Sequence, residues 1–260
     1  MNKESNAYII LFSVIMVVIV GVGLAVIAQI TKPNYIKNQE IEKKQNILSS
    51  VGIRVSPSEA EATYNKHITG SVVFKQDGSV VDGQDAFLVD LAKELKKPEA
   101  DQFYTLFFCS KDNESFYIIP MRGKGLWDAV WGFVAVNNDG ITIAGAMFDH
   151  KGETPGLGAE ISKEGFQKQF LGKKIVDASG EFKGVEVAKQ GKYPEGYEHS
   201  VDGISGGTIT SNGVSDMIQK YLKAFQAYMK VNVSAIPAPQ PEPETLDTLE
   251  TTLIEADTIN

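Results

Sequence analysis

Cysteine is almost missing from the 260-residue chain, where Cys109 stands alone. One thiol excludes an internal disulfide and any iron–sulfur or zinc centre held by several cysteines. Histidine is nearly as scarce. His67, His150 and His199 lie far apart, so the sequence offers no clustered metal site. Basic residues stop at Lys230, after which come Glu242, Glu244, Asp247, Glu250, Glu255 and Asp257. Those six carboxylates account for most of the net charge of -8 and leave -2 for everything before them. A chain of that balance is a poor partner for nucleic acid. Neither a Gly-Lys-Ser/Thr phosphate loop nor the Rossmann glycine fingerprint occurs, and there is no internal repeat.

What is present begins with an uncharged apolar run of 24 residues, Ala7 to Ile30. As a helix it suffices to cross a hydrocarbon core of about 30 Å. A cleaved signal peptide would have an apolar stretch of only about 7–15 residues. Ala25 and Ala28 are three apart, not the small-x-small spacing of a cleavage site, so spacing and length together favour an uncleaved membrane anchor. With no ionisable residue in the run, the span carries no ion or proton relay of its own. Counting Lys3 against Lys32, Lys37, Lys43 and Lys44 would put the C-terminal side in the cytoplasm. Glu40 and Glu42 are interspersed and long domains cross regardless of charge, so composition alone leaves the side open. The organisation expected is a short tail (1–6), a transmembrane helix (7–30), a soluble domain (31–232) and a Pro-rich, acidic, disordered tail (233–260).

Within the soluble part, Tyr35 to Ser50 reads as a polar helix and Ser58 to Asn65 as a further turn or two. Asp77-Gly78 marks a turn between Ser71–Phe74 and Ser79–Val81. Phe87, Leu88, Leu91, Ala92 and Leu95 share a helical face, which predicts a helix over 86–97. Strands are expected at Tyr104–Cys109, Ser115–Pro120, Val130–Val136 and Ile141–Phe148, separated by turn-rich Lys111–Glu114 and Asn137–Gly140. The spacing then predicts a helix over 160–171, strands at 174–177 and 185–189, and an amphipathic helix over 213–230. The fold class is α+β: one N-terminal transmembrane helix, then a mixed α/β domain with an antiparallel sheet and helices on its faces.

Three glycine-bearing stretches lie at element ends: Gly123–Asp128, Gly152–Gly158 and Asp202–Asn212. Small residues let backbone N–H groups approach a ligand. Taken singly, each stretch reads first as an ordinary turn. The third is more telling, because Ser211 or Asn212 is a plausible N-cap and Thr208 then lies just before a helix N-terminus. Orphan amides and the positive end of the dipole stabilise a phosphate there, and a Thr hydroxyl can form a phosphoester. No base lies beside Thr208 in the sequence, so a self-activated nucleophile is not expected; a covalent link would be made by another enzyme.

Asp202-Gly-Ile-Ser205-Gly206-Gly207-Thr208 resembles the flavinylation motif of the FMN-binding domains, in which a Thr carries FMN through its phosphate. Glu153-Thr-Pro-Gly-Leu-Gly158 resembles the flavin-contact loop of the same domains. Gly125-Leu-Trp-Asp128, with Trp131-Gly-Phe133 and the single N-terminal span, is similar to the C-subunit family of Na+-translocating NADH:quinone reductases. The resemblance covers roughly Tyr8 to Met229. It departs at Gly207, where the family commonly has Ala.

By position, the resemblance implies covalent FMN on Thr208, with Thr210 the rival anchor. It implies that Asp202, Ser205, Gly206 and Gly207 shape the phosphate loop and the sequence a flavin transferase recognises. Glu153, Thr154, Gly156 and Leu157 would contact the flavin, and Leu126 and Trp127 would line the apolar side of its ring. Core packing is the reading preferred for Trp131. The implied function is an electron relay in a multi-subunit respiratory complex that oxidises NADH, reduces quinone and exports Na+. The chain would need no catalytic acid or base and no metal, and its domain would lie on the periplasmic side of the inner membrane. Two alternatives stay open: the equivalent flavin subunit of a ferredoxin:NAD+ oxidoreductase complex, and a membrane-anchored interaction domain without redox chemistry.

Overall fold

The computed structural model describes residues 6–232; the first five residues and the acidic tail from 233 lie outside the described residues. One helix, α1 (Asn6–Ser50), runs without interruption for 45 residues, about 68 Å at 1.5 Å per residue. The apolar run and the polar helix expected after it are one element, and Pro33 lies inside it. The apolar window is fully uncovered by the rest of the protein, and its length and composition suit it to cross a membrane. The other end is buried: Ile47 and Leu48 are solvent-excluded.

The body is a five-stranded antiparallel sheet in sequential order. Its strands are β1 (Ile68–Phe74), β2 (Tyr104–Lys111), β3 (Glu114–Lys124), β4 (Ala129–Asn137) and β5 (Ile143–His150). The β2–β3 hairpin closes through Asp112 and Asn113, both at positive φ, as a tight two-residue turn requires. Alternation along the strands sends side chains to two faces. Tyr104, Leu106, Tyr117, Ile119, Met121, Val130 and Val134 belong to one core; Phe107, Cys109, Ile118, Phe133 and Ala135 belong to the other.

The first core is covered by α5 (Thr208–Asn232), whose Val214, Met217, Ile218, Tyr221, Leu222, Phe225 and Tyr228 are buried in one stripe. Each such side chain contributes about 1.5–3 kcal/mol, so this helix is a principal anchor of the sheet. The opposite face is covered by the end of α1, by α2 (Ala60–His67) and by residues near 86–89. The contact is close: a Cβ at Gly145 in β5 would lie 2.4 Å from the Ser50 carbonyl oxygen. Burial pushes the Cys109 thiol up to about 12, leaving it a packing residue.

Several elements differ from the sequence reading. The helix expected over 86–97 is a single turn, α3 (Leu91–Glu94). Its apolar residues serve two cores, Ala86 and Phe87 on one face and Leu91 on the other, and Leu88 is exposed. The Asp85 and Asp90 carboxylates accept from the Phe87 and Ala92 amides at 2.8 and 3.0 Å and break the segment into turns. The helix over 160–171 is likewise divided, into a 3-10 turn at Gly158–Ser162, α4 (Glu164–Gln167) and a second 3-10 turn at Lys168–Phe170. Ile161, Phe166 and Phe170 are buried as expected.

Residues 174–177 make only isolated bridges to Thr142 and Phe182. The strand expected at 185–189 is β6 (Glu186–Ala188), which pairs in parallel with β7 (Ser200–Asp202). Finally, α5 starts five residues earlier than its periodicity suggested. The Gly207 carbonyl accepts the first helical hydrogen bond, from the Ser211 amide at 2.9 Å, so the cap is Gly207 rather than Ser211 or Asn212.

Candidate functional site

The three glycine-bearing stretches converge at one end of the sheet. The β3–β4 connection brings Gly125–Asp128, the segment after β5 brings Lys151–Gly158, and the third stretch is the first turn of α5. They enclose a cavity of about 220 Å³ lined by Leu126, Glu153, Thr154, Leu157, Gly158 and the run Gly206–Thr210. A second cavity, about 520 Å³, lies on the other side of Thr208 and is lined by Val187–Gly191, Gly203–Gly206, Ser211 and Asn212. Thr208 borders both.

Local backbone explains why Thr208 stands forward. The Gly207 amide donates to the Ile204 carbonyl at 2.9 Å and closes a turn through Gly206 at φ +73°, a conformation that favours glycine. The helix begins at once, so Thr208, Ile209 and Thr210 form its first turn. Their amides have no intrahelical acceptor and lie at the positive end of a 25-residue helix. The Ser211 hydroxyl accepts from the Ile204 amide at 3.0 Å and ties the turn to the helix.

Glu153 is the polar centre of the site, only 5% exposed. Its Oε1 accepts from the Trp127 amide at 3.0 Å and its Oε2 from the Thr210 hydroxyl at 2.5 Å. Burial alone would raise this carboxyl, but the Thr210 hydroxyl and the amides of Trp127, Asp128 and Leu126 hold it below the usual carboxylate range. The glycines make room for it. A Cβ at Gly125 would lie 2.5 Å from Oε1, and one at Gly158 would lie 2.5 Å from Oε2.

The rim is apolar. Leu126, Leu157 and Ile209 are 46%, 42% and 58% exposed around the cavity, so they offer a bed for a flat, apolar ring. Trp127 is more exposed still and donates from Nε1 to the Thr154 hydroxyl at 3.2 Å. Gly156, at φ +74°, turns the loop and its amide donates to Glu160 at 3.0 Å.

Leu126, Glu153, Thr154, Leu157, Gly206, Gly207, Thr208 and Thr210 thus share the smaller cavity, whereas Trp127 and Gly156 lie outside its lining, on the loops that bear it. Ser205 faces the larger cavity. Asp202 lies at the end of β7, outside both cavities, on a groove of about 490 Å³ that adjoins the larger one through Ala188–Gly191; its amide donates to Gln169 at 2.9 Å. Gly125, Gly158 and Ile209 belong to the site but carried no individual signal. The two glycines sat inside the motifs, yet only the fold shows that they flank a carboxylate.

An exposed Thr at a helix N-terminus, between an apolar rim and a glycine turn, suits a phosphate-bearing aromatic cofactor. Residues 125–223 match the FMN-binding domain family, which defines the class of the domain. The chain is 30% identical to the Na+-translocating NADH-quinone reductase C-subunit of Pseudomonas aeruginosa over 252 residues, covering 88% of this chain and 96% of that one. It is 32% identical to the C-subunit of the same reductase from Pasteurella multocida over 258 residues, covering 89% and 97%. The crystal structure of the Parabacteroides distasonis C-subunit superposes with a TM-score of 0.69 at 43% identity, over 76% of this chain and 96% of that one. The Shewanella oneidensis NqrC structure shares the fold, with a TM-score of 0.64 at 23% identity, over 76% of this chain and all of that one. The chain belongs to the C-subunit (NqrC) family of Na+-translocating NADH-quinone reductases.

Proposed function

We propose that this chain carries FMN as a phosphoester on Thr208 and relays electrons within a Na+-translocating NADH-quinone reductase. The observation that carries the attachment is the contrast on the first turn of α5. Thr208 is exposed between two cavities, whereas Thr210 is buried with its hydroxyl given to Glu153.

Energetics favour a tether. A helix N-terminus contributes only about 0.3–1 kcal/mol to an exposed anion, against about 8 kcal/mol for micromolar retention. The open rim leaves much of a ring in contact with solvent. A covalent link at Thr208 retains the cofactor without deep burial and leaves an edge free for electron exchange.

FMN, when bound, supplies electron-transfer chemistry that the side chains lack. The chain's own part is to hold and shield. Thr208 would hold the phosphate oxygen, and the first-turn amides of α5 would stabilise its charge. Leu126, Leu157 and Ile209 would exclude water from one face of the ring. Among the described residues none hydrogen-bonds the Thr208 hydroxyl, and the Glu153 carboxylate that shares its cavity is engaged by Trp127 and Thr210, in keeping with attachment by a separate flavin transferase. Asp202, on its own groove beside the motif, is suited to that enzyme's recognition rather than to flavin contact. The length and apolarity of α1 support membrane anchoring; a periplasmic domain, with the remaining subunits as electron partners, belongs to the same proposal.

The test is expression of the full chain with a flavin transferase, then denaturing electrophoresis under ultraviolet light. A fluorescent band at the chain's mass is expected; a dark band overturns covalent attachment. Protease added to intact spheroplasts is expected to digest the domain, and protection would reverse the assigned side. Loss of Na+-dependent NADH:quinone activity in membranes lacking this chain, restored by its return, tests the complex.

A further inference from the structure

Beneath the exposed rim lies a carboxylate whose oxygens are occupied by two different elements of the fold. Glu153 Oε1 takes the Trp127 amide of the β3–β4 connection at 3.0 Å. Oε2 takes the Thr210 hydroxyl of α5 at 2.5 Å. Its own amide donates to His150 Nδ1 at 3.2 Å, which fixes the segment after β5. Three pieces of chain remote in sequence therefore meet on one side chain. The fit is tight, because a Cβ at Gly125 or Gly158 would enter the carboxylate. The neighbouring cation does not neutralise it: Lys151 pairs with Asp128 at 2.9 Å.

We propose that Glu153 is a positioning residue, a clasp that locks the Leu126–Trp127 loop to the first turn of α5 and keeps an uncompensated negative charge beneath the flavin cavity. The clasp fixes the distance between the apolar wall and Thr208. The charge disfavours electron uptake by any flavin seated above it, since adding negative charge near a carboxylate is unfavourable. The charge effect rests on the flavin reading of the cavity; the clasp does not.

The test exploits the two tryptophans of the chain, Trp127 and Trp131. The full chain, labelled with ¹⁵N-tryptophan and placed in nanodiscs, is studied first without flavin. The Trp127 backbone amide is expected to exchange with solvent at least about tenfold faster in Glu153→Gln than in wild type, because a charge-assisted bond is lost. Thr210→Ser, which keeps the hydroxyl, is expected to retain protection. Equal exchange in wild type and Glu153→Gln overturns the clasp.

Acid titration of the wild type provides a check that needs no variant. The Trp127 amide is expected to shift as Glu153 protonates, and an unmoved signal again overturns the clasp. The ionisable neighbours are His150 and Lys151 on the same segment and Asp128 on the facing loop; the first turn of α5 has none. In the flavin-loaded chain, the midpoint potential is expected to rise in Glu153→Gln. An unchanged midpoint overturns the charge effect and leaves a purely structural contact. Failure to load flavin would refute the reading of the cavity, while the exchange measurement still decides the clasp.

Discussion

Thr208 and Thr210 stand two residues apart on the same helical turn with opposite surroundings. Thr208 is exposed and borders two cavities, whereas Thr210 is 1% exposed and donates to Glu153 at 2.5 Å. Residues two apart on a helix do not share a face, so one threonine is open to solvent while the other ties the helix to Glu153. Thr208→Ala is expected to abolish in-gel flavin fluorescence with no loss of thermal stability before loading. Thr210→Ala is expected to keep fluorescence and to lose about 1–3 kcal/mol, because a buried carboxylate oxygen loses its donor. Thermal melts and gel fluorescence of both variants separate the two roles, and the reverse pattern would move the anchor to Thr210.

Gly158 is required by space rather than by backbone freedom. A methyl group there would lie 2.4 Å from Thr210 Oγ1 and 2.5 Å from Glu153 Oε2. Gly158→Ala is expected to cost about 1–3 kcal/mol through overpacking and to lower flavin loading. A melting temperature within a degree of wild type would contradict this geometry.

Gly207 gives the opposite expectation. A Cβ there would approach Ile204 at 3.1 Å and the Gly158 amide nitrogen at 3.3 Å, milder contacts that ask the neighbours to give by a few tenths of an ångström. Gly207→Ala is therefore expected to fold within about 1 kcal/mol of wild type, the range of an N-cap change, and to remain flavinylated. A dark band for this variant would mean that the transferase requires the smaller residue.

Acid should weaken the site through Glu153. Its carboxyl is held below the ordinary value of 4.5, so its contribution is complete above that pH and is lost as pH falls through the lowered value. Other carboxylates titrate in the same region, Asp177 among them at about 2, so the informative quantity is a difference. The stability gap between wild type and Glu153→Gln is expected to narrow as pH drops below 4.5. Paired melts across pH 3 to 7 (about the range in which such carboxylates titrate) measure it, and a constant gap would contradict the assignment.

The central strands were legible because turn residues bracket them. Asp112-Asn113 and Asn137–Gly140 demand backbone conformations that end strands. The apolar stripe of α5 was equally legible, but its start was not. Thr208, Ile209 and Thr210 are β-branched and follow two glycines, which reads locally as loop; the Thr210–Glu153 bond, made to a residue 57 positions away, stabilises the turn as helix. The helix anticipated over 86–97 failed for a related reason, since periodicity cannot reveal that its apolar residues face two cores. The motifs singled out residues that the fold brings together, since Leu126, Glu153, Leu157 and Thr208 line one cavity. What the motifs could not distinguish was contact from support. Glu153 reads from its motif as a flavin contact; the fold adds that it lines the cavity while holding two internal partners.

The uninterrupted course of α1 ties height and heading of the soluble domain to a residue count. Twenty residues of α1, Thr31 to Ser50, separate the apolar run from the helix end that packs on the sheet, about 30 Å of helix. Along that stretch Tyr35, Gln39 and Glu42 face Arg122, Trp131 and Lys151, which lie at the same end of the sheet as the cavity. Inserting one residue between Thr31 and Tyr35 would lift the cavity about 1.5 Å and swing it about 100° around the helix axis. Seven inserted residues would nearly restore its bearing at a height about 10 Å greater. With α1 anchored in a bilayer as proposed, membrane and cavity are geared to one another, and the length of this helix sets the compass direction in which the site looks.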